Sequence, residues 1–191
     1  KKELFDFCYQ VVLEVQGVSS GFDIAAAVYG GVLYFQTGGK VIESFQDESL
    51  PLLISYSGIK ADTVSMIKQV KEKMRTHQKG VEEIFKNITN LVEEGKIALL
   101  EKDWPRLGTL MNFNQNYLED LGVSTEKLND MIMAARNAGA YGAKLSGAGG
   151  GDCMIAIVPE EKRRSIQEAI KNVGGELLDI QVSKEGARVG F

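Results

Sequence analysis

The chain has 191 residues, 44% of them hydrophobic and 25% charged, with a formal net charge of −4. Those proportions exclude a disordered chain, and no apolar run approaches the roughly 18 residues that a membrane-spanning helix needs. A non-specific nucleic-acid binder carries a basic excess, so the acidic balance argues against that class. Two cysteines, Cys8 and Cys153, and one histidine, His77, make neither a disulfide framework nor a four-ligand zinc pattern. Both cysteines sit in apolar stretches, which fits buried free thiols in a reducing cytosol. The first apolar positions are interrupted by Asp6, Tyr9 and Gln10, unlike a signal peptide, so a cytoplasmic location is expected.

In chain order, Leu4, Phe5, Cys8, Val11, Val12 and Val15 recur at helical spacing and predict an amphipathic helix over 1–16, stopped by Gly17. A small polar loop, 17–21, leads to an alanine-rich helix from Asp23 to about Tyr29, ended by Gly30 and Gly31. Val32 to Phe35 and Val41 to Phe45 read as a hairpin around a turn at 37–40. Asp47, Glu48 and Ser49 break the pattern before a strand over Leu50–Tyr56. Four helices follow, near 61–76, 79–101, 104–121 and 125–138. Asp103 is a plausible N-cap, Pro105 fits a first turn, and Gly122 and Gly139 mark helix ends.

The last third changes character. Ala143–Leu145 and Cys153–Val158 read as strands flanking a glycine loop. A helix runs from Pro159 to about Val173, followed by a strand over Leu177–Val182 and a last one over Ala187–Phe191. From residue 50 the order is strand, helices, two strands, helix, strand. That predicts an α+β fold, an antiparallel sheet with helices on one face.

Two segments carry most of the chemical signal. Gly147-Ala148-Gly149-Gly150-Gly151 has four glycines in five residues, and such a loop can aim successive amides at an anion. It fits neither usual nucleotide pattern: Asp152 stands where a GxGxxG motif needs glycine, no Gly-Lys-Ser/Thr follows, and a strand comes next instead of a helix. The second segment is Ser19-Ser20-Gly21-Phe22-Asp23. Its carboxylate, in a first helical turn, suits either dipole complementarity or a base that orients a reacting hydroxyl. The small residues Ala25, Ala26 and Ala27 would let that helix pack close beneath a site. Asn112 and Gln115 share a helix face and could line a polar cleft. Lys68, Lys71, Lys73, Arg75 and Lys79 read as a solvated cationic face.

The run AYGAKLSGAGGGDCMIAI, residues 140–157, resembles the third signature motif of the GHMP small-molecule kinases. SSGFDIAAAVYGG, residues 19–31, resembles the segment bearing that family's catalytic aspartate. The two stand in the family's order, about 120 residues apart, and MNFNQNYLEDLGVS, residues 111–124, is similar to the mevalonate kinase branch. The resemblance spans nearly the whole chain. It implies transfer of the ATP γ-phosphoryl group, with magnesium, to the hydroxyl of a small molecule, mevalonate. Asp23 matches the aspartate that orients or deprotonates that hydroxyl. Ser146, Gly147, Ala148, Gly149, Gly150 and Gly151 match the loop beside the nucleotide phosphates, and Ser20 and Gly21 fall on the substrate side.

Asp152 and GFDIAAAVYGG lean instead toward phosphomevalonate as substrate. A non-catalytic ligand-binding or dimerisation module is the alternative of another class, and a homodimer is compatible with the resemblance. The family's first motif, a lysine near the amino terminus, and its second, a Pro- and Gly-Ser-rich phosphate loop, have no counterpart here. The implied arrangement is therefore the end of an amino-terminal α/β domain over 1–48 and a carboxy-terminal domain over 49–191. Metal ligands would precede Lys1, and this stretch alone is expected to turn over little.

Overall fold

The structure, a computed structural model, describes residues 1–45, 50–180, 182–188 and 190. It divides into two units, residues 1–50 with 181–191 and residues 51–180. The expected boundary at 48/49 and the break at 47–49 lie outside the described residues. The last eleven residues belong with the first unit, whereas the sequence reading had kept them with the second domain. The reason is backbone pairing: Gly31 N donates to Ser183 O and Ala187 N to Ala27 O.

In the first unit, α1 (Lys2–Gln16) ends at Gly17 in the left-handed region, as its sequence predicts. Its fully buried Phe5 stacks on Tyr9 at 5.6 Å and meets Phe35 edge-on at 6.1 Å. α2 (Phe22–Tyr29) buries Ala25 and Val28 in the same cluster. Ala26 and Ala27 are exposed, so only one of the three alanines supports close packing. β1 (Val32–Phe35) and β2 (Ile42–Phe45) form the expected antiparallel hairpin.

The second unit holds a four-stranded antiparallel sheet in the order β4-β5-β3-β6, made of β3 (Leu52–Tyr56), β4 (Gly142–Leu145), β5 (Cys153–Ile157) and β6 (Glu176–Leu178). Strand alternation sorts its faces. Leu53, Ser55, Ala143, Leu145, Met154 and Ala156 are buried on one side, while Leu52, Ile54, Tyr56, Cys153 and Ile155 are half-buried on the other. The buried side packs with Leu128, Met131 and Ile132 of α6 (Glu126–Asn137) and Ile166 and Ile170 of α7 (Arg163–Asn172). α3 (Thr63–Thr76), α4 (Gln78–Leu100) and α5 (Trp104–Leu121) complete the helical layer. Asp62, Asp103 and Thr125 cap α3, α5 and α6 through their side chains, and Gly122 ends α5 in the left-handed region.

Several boundaries differ from the sequence reading. The segment after Pro159 opens as a 3-10 turn before α7, and β6 stops at Leu178. Of the strand expected at 187–191, residues 187, 188 and 190 are not extended pairs, and 189 and 191 lie outside the described residues. Both cysteines are free and half-buried rather than buried. Among the described residues no helix is long and apolar enough to cross a membrane.

β4 is an edge strand, and its outward-facing backbone groups need partners. Side chains supply them at both outward residues. Asn112 Oδ1 accepts from Ala143 N at 3.0 Å and Gln115 Oε1 from Leu145 N at 2.9 Å. An Arg136 guanidinium nitrogen donates to Ala143 O at 2.7 Å, and Lys144 Nζ to Leu145 O at 2.6 Å. Asn112 and Gln115 thus close a sheet edge; they do not line a cleft, which corrects the sequence reading. α5 can come this near because Gly108 faces Gly142: a Cβ on Gly108 would lie 2.3 Å from the Tyr141 carbonyl carbon and 2.6 Å from Gly142 N.

Two expectations follow from this edge. Gly108→Ala should lose about 1–3 kcal/mol of stability through overpacking. Gly95→Ala, in α4 with only Leu107 at an ordinary 3.8 Å, should gain up to about 1 kcal/mol. Urea unfolding of both variants checks the pair. Burial also pulls the Lys144 ammonium down to about 8 from 10.5. Between those values the unfolded chain binds the extra proton, so this lysine makes stability rise with pH across that window. The rise should be about 1 kcal/mol per pH unit. Comparing wild type with Lys144→Met at pH 8 and pH 10 isolates it, since the variant should lack that increment.

Candidate functional site

The glycine loop joins β4 to β5 and is closed at its base by Ser146 N donating to Cys153 O. Three neighbours wall it. Gly150 N donates to Val123 O at 2.8 Å, in the turn between α5 and α6. Asp152 N donates to Ile59 O at 2.7 Å, in the segment after β3, and Met66 of α3 lies against Gly150. Glycine is required at Gly149 twice over. Its φ is +83°, and a Cβ there would stand 2.1 Å from Val123 O. At Gly147 the φ is +81° but nothing lies within 4 Å of the Cβ position. The loop is therefore pinned along one side and open at its tip.

Hydrogen bonding shows the same asymmetry. Gly150 and Asp152 give their amides to the walls, whereas those of Gly147, Ala148, Gly149 and Gly151 donate to no acceptor among the described residues; of these four, Gly149 and Gly151 are buried and Gly147 and Ala148 stand at the tip. Gly147 is exposed, and Ser146 and Ala148 are half-buried. Two neighbouring donors at an open tip, where Gly147 is left-handed, are a backbone pattern that can receive an oxyanion. Unpaired backbone donors of this kind are compatible with a phosphate group.

Asp152, which breaks the usual nucleotide pattern, has a structural task. It adopts φ 55°, and its Oδ1 accepts from Ala61 N at 3.2 Å while its carbonyl accepts from Ser57 N. Burial and the Asp152 carboxylate push the Cys153 thiol up, so it is no thiolate nucleophile at neutral pH.

The second candidate segment lies in the first unit. Asp23 is exposed in the first turn of α2, with Oδ1 accepting from Ile24 N at 2.9 Å. Ser20 is half-buried, and its carbonyl accepts from Gly38 N at 2.9 Å. Gly21 is buried with φ +86°, and its amide donates to Ser19 Oγ. A Cβ on Gly21 would meet the Tyr9 ring at 2.9 Å, so α1 packing alone accounts for the glycine. Among the described residues no group of three His, Cys, Asp or Glu converges, and no magnesium ligand is assigned to them.

The walls of the loop were not singled out by the sequence. Val123, Ile59 and Met66 act through a carbonyl, a carbonyl and a thioether contact, none of which marks a sequence. Gln115 stands out as a polar residue on its helix face, but its strand partner is 30 residues away. The pair Gly108 and Gly142 was the available signal, since a glycine inside a helical pattern often marks close packing.

Residues 96–176, which contain this loop, match the family model described as GHMP kinases C terminal. This part of the chain is a GHMP kinase C-terminal domain. The chain is 38% identical over 193 residues to a mevalonate kinase of Thermococcus sibiricus, covering 98% of this chain and 57% of that one. It is 39% identical to a mevalonate kinase of Pyrococcus horikoshii, covering 99% and 57%. A crystal structure of L. major mevalonate kinase in complex with R-mevalonate superposes with a TM-score of 0.75 at 30% identity, over 81% of this chain and 49% of that one. The chain spans a little over half the length of the curated relatives it matches.

Side-chain replacement should grade with the walls. Gly149→Ala combines a left-handed backbone with the Val123 clash, while Gly147→Ala has only the backbone cost, about 1–2 kcal/mol. Chemical denaturation should therefore rank Gly149→Ala clearly below Gly147→Ala in stability, and equal losses would contradict a loop pinned on one side.

Proposed function

We propose that this chain contributes the phosphate-binding loop and the acceptor-side carboxylate of an ATP-dependent kinase acting on the hydroxyl of mevalonate. The observation that carries the reading is the pinned glycine loop with free Gly147 and Ala148 amides, in a chain close in sequence to mevalonate kinases. Phosphoryl transfer asks the protein for positioning and charge stabilisation more than for covalent chemistry. Magnesium-bound ATP supplies the phosphoryl group and part of the charge neutralisation. In this reading the loop from Ser146 to Gly151 lies beside the phosphates and the amides of Gly147 and Ala148 at its tip are the preorganised donors, needing no rearrangement during transfer.

Asp23 sits on a helix, so its carboxylate is carried by a rigid element. In this reading it accepts a hydrogen bond from the substrate hydroxyl, directs an oxygen lone pair at the γ-phosphorus and takes the proton as the new P–O bond forms and the bond to the bridging oxygen breaks, releasing ADP. Ser20 lies three residues before it, on the loop leading into α2, where a hydroxyl can contact the substrate. Gly21 contributes by letting α1 pack against that loop, with its amide already held by Ser19.

The test is a coupled ATP assay on the whole protein with mevalonate and phosphomevalonate offered side by side. Mevalonate should be the better acceptor, and a clear preference for phosphomevalonate would reverse the substrate assignment. Asp23→Asn should lower kcat by about 10²–10⁴-fold with an unchanged melting temperature, because Asp23 is exposed. Turnover of that variant at the wild-type rate would remove Asp23 from the mechanism. Absence of ATP-dependent turnover in the wild type would favour the non-catalytic module.

A further inference from the structure

Gln115 is fully buried in α5, yet its amide is used at both ends. Its Oε1 accepts from Leu145 N at 2.9 Å, one residue before the glycine loop begins. Its Nε2 donates to Ser124 Oγ at 3.0 Å and to Glu119 Oε1 at 3.0 Å. Ser124 Oγ in turn donates to Asn129 Oδ1. Ser124 adjoins Val123, whose carbonyl holds Gly150 N and would collide with any side chain at Gly149. The same turn is held from α3, where Gln69 Nε2 donates to Gly122 O at 2.8 Å and Lys73 Nζ donates to Asp120 O. One side chain therefore reaches the start of the loop directly and its far wall through a single hydroxyl.

We infer that Gln115 is a positioning residue for the nucleotide phosphates, fixing the separation between Leu145 and the Val123 carbonyl and thereby the direction of the Gly147 and Ala148 amides. The inference rests on the kinase reading above. Asn112 is the internal control. It caps the same edge strand at Ala143 N from the same helix, with the same chemistry, but its other hydrogen bond goes to Tyr141 O and not to the turn. A role limited to closing the sheet edge would make the two residues equivalent.

The experiment compares Gln115→Met, Asn112→Leu and Ser124→Ala in the whole protein by steady-state kinetics, thermal melting and amide hydrogen exchange over residues 146–152. Gln115→Met is expected to raise the KM for ATP at least tenfold, to leave the KM for mevalonate within twofold, and to speed exchange in the loop. Ser124→Ala should shift the KM for ATP in the same direction, and its effect should not add to that of Gln115→Met. Asn112→Leu should lower the melting temperature and leave both the KM for ATP and loop exchange unchanged. Equal effects of Gln115→Met and Asn112→Leu on the KM for ATP would overturn the inference. So would faster loop exchange in Gln115→Met with an unaltered KM for ATP. If the wild type shows no ATP-dependent turnover, the kinase reading fails and with it the nucleotide role; loop exchange then still reports whether Gln115 braces the loop. If Gln115→Met melts too low to assay, Ser124→Ala carries the test, and an unchanged KM for ATP in it also counts against the inference.

Discussion

At Gly108 and Gly142 the backbone of α5 lies against the backbone of β4, and no side chain fits between them. The rest of the second unit depends on this contact. It brings Asn112 and Gln115 within reach of amides that an edge strand would otherwise leave to water. A buried amide without a partner is costly, and an exposed strand edge invites pairing with another chain. Here the helix takes the place of a neighbouring strand, its side-chain oxygens accepting from the two amides, and Arg136 and Lys144 satisfy the two carbonyls. The two glycines set the distance, and the two amides make use of it.

The glycine loop inherits its order from that interlock. β4 delivers the chain into Ser146 at a fixed height, and the turn after α5 supplies the carbonyl that holds Gly150. Four glycines would ordinarily mean a wide conformational ensemble, since glycine loses more freedom on ordering than any other residue. The walls from α3, the segment after β3 and the α5–α6 turn restrict that ensemble on one side only. The open side leaves the Gly147 and Ala148 amides without an acceptor among the described residues. Order is thus imposed by neighbours on residues that could not impose it themselves, and preorganised donors of this kind are what charge stabilisation requires.

Local chemistry was largely legible in the sequence. Asp103 caps α5, Gly17 and Gly122 end their helices, and the hairpin after α2 forms where the turn residues stand. The sheet's antiparallel character and the run of four helices were also readable, because period and punctuation are local signals. Illegible were features set by residues distant in sequence. Asn112 and Gln115 read as the lining of a polar cleft because nothing nearby reveals a strand edge about 30 residues on. Ala26 and Ala27 looked like packing residues, yet only Ala25 faces the core. The glycine loop was visible as a motif, and its pinned and open sides were not, since Val123 and Ile59 contribute only carbonyls. Gly21 stood out for its place beside Ser20, whereas the rings of Phe5 and Tyr9 explain its lack of a side chain.

The return of the last residues to the first unit has a consequence for how the chain is made. Gly31 waits for Ser183 and Ala27 for Ala187, while Gly30 and Gly186 approach backbone to backbone. Residues 51–180 are an insertion between the two parts of that unit. On a ribosome, which delivers the chain from its amino end, the inserted unit has all its partners before the first unit has its own. Closing the outer unit then means joining segments about 150 residues apart, a loop whose entropy is far smaller once the intervening chain is already folded. The α5–β4 interlock, entirely internal to the insertion, is thus available early, and the last few residues act as the latch of a nested fold.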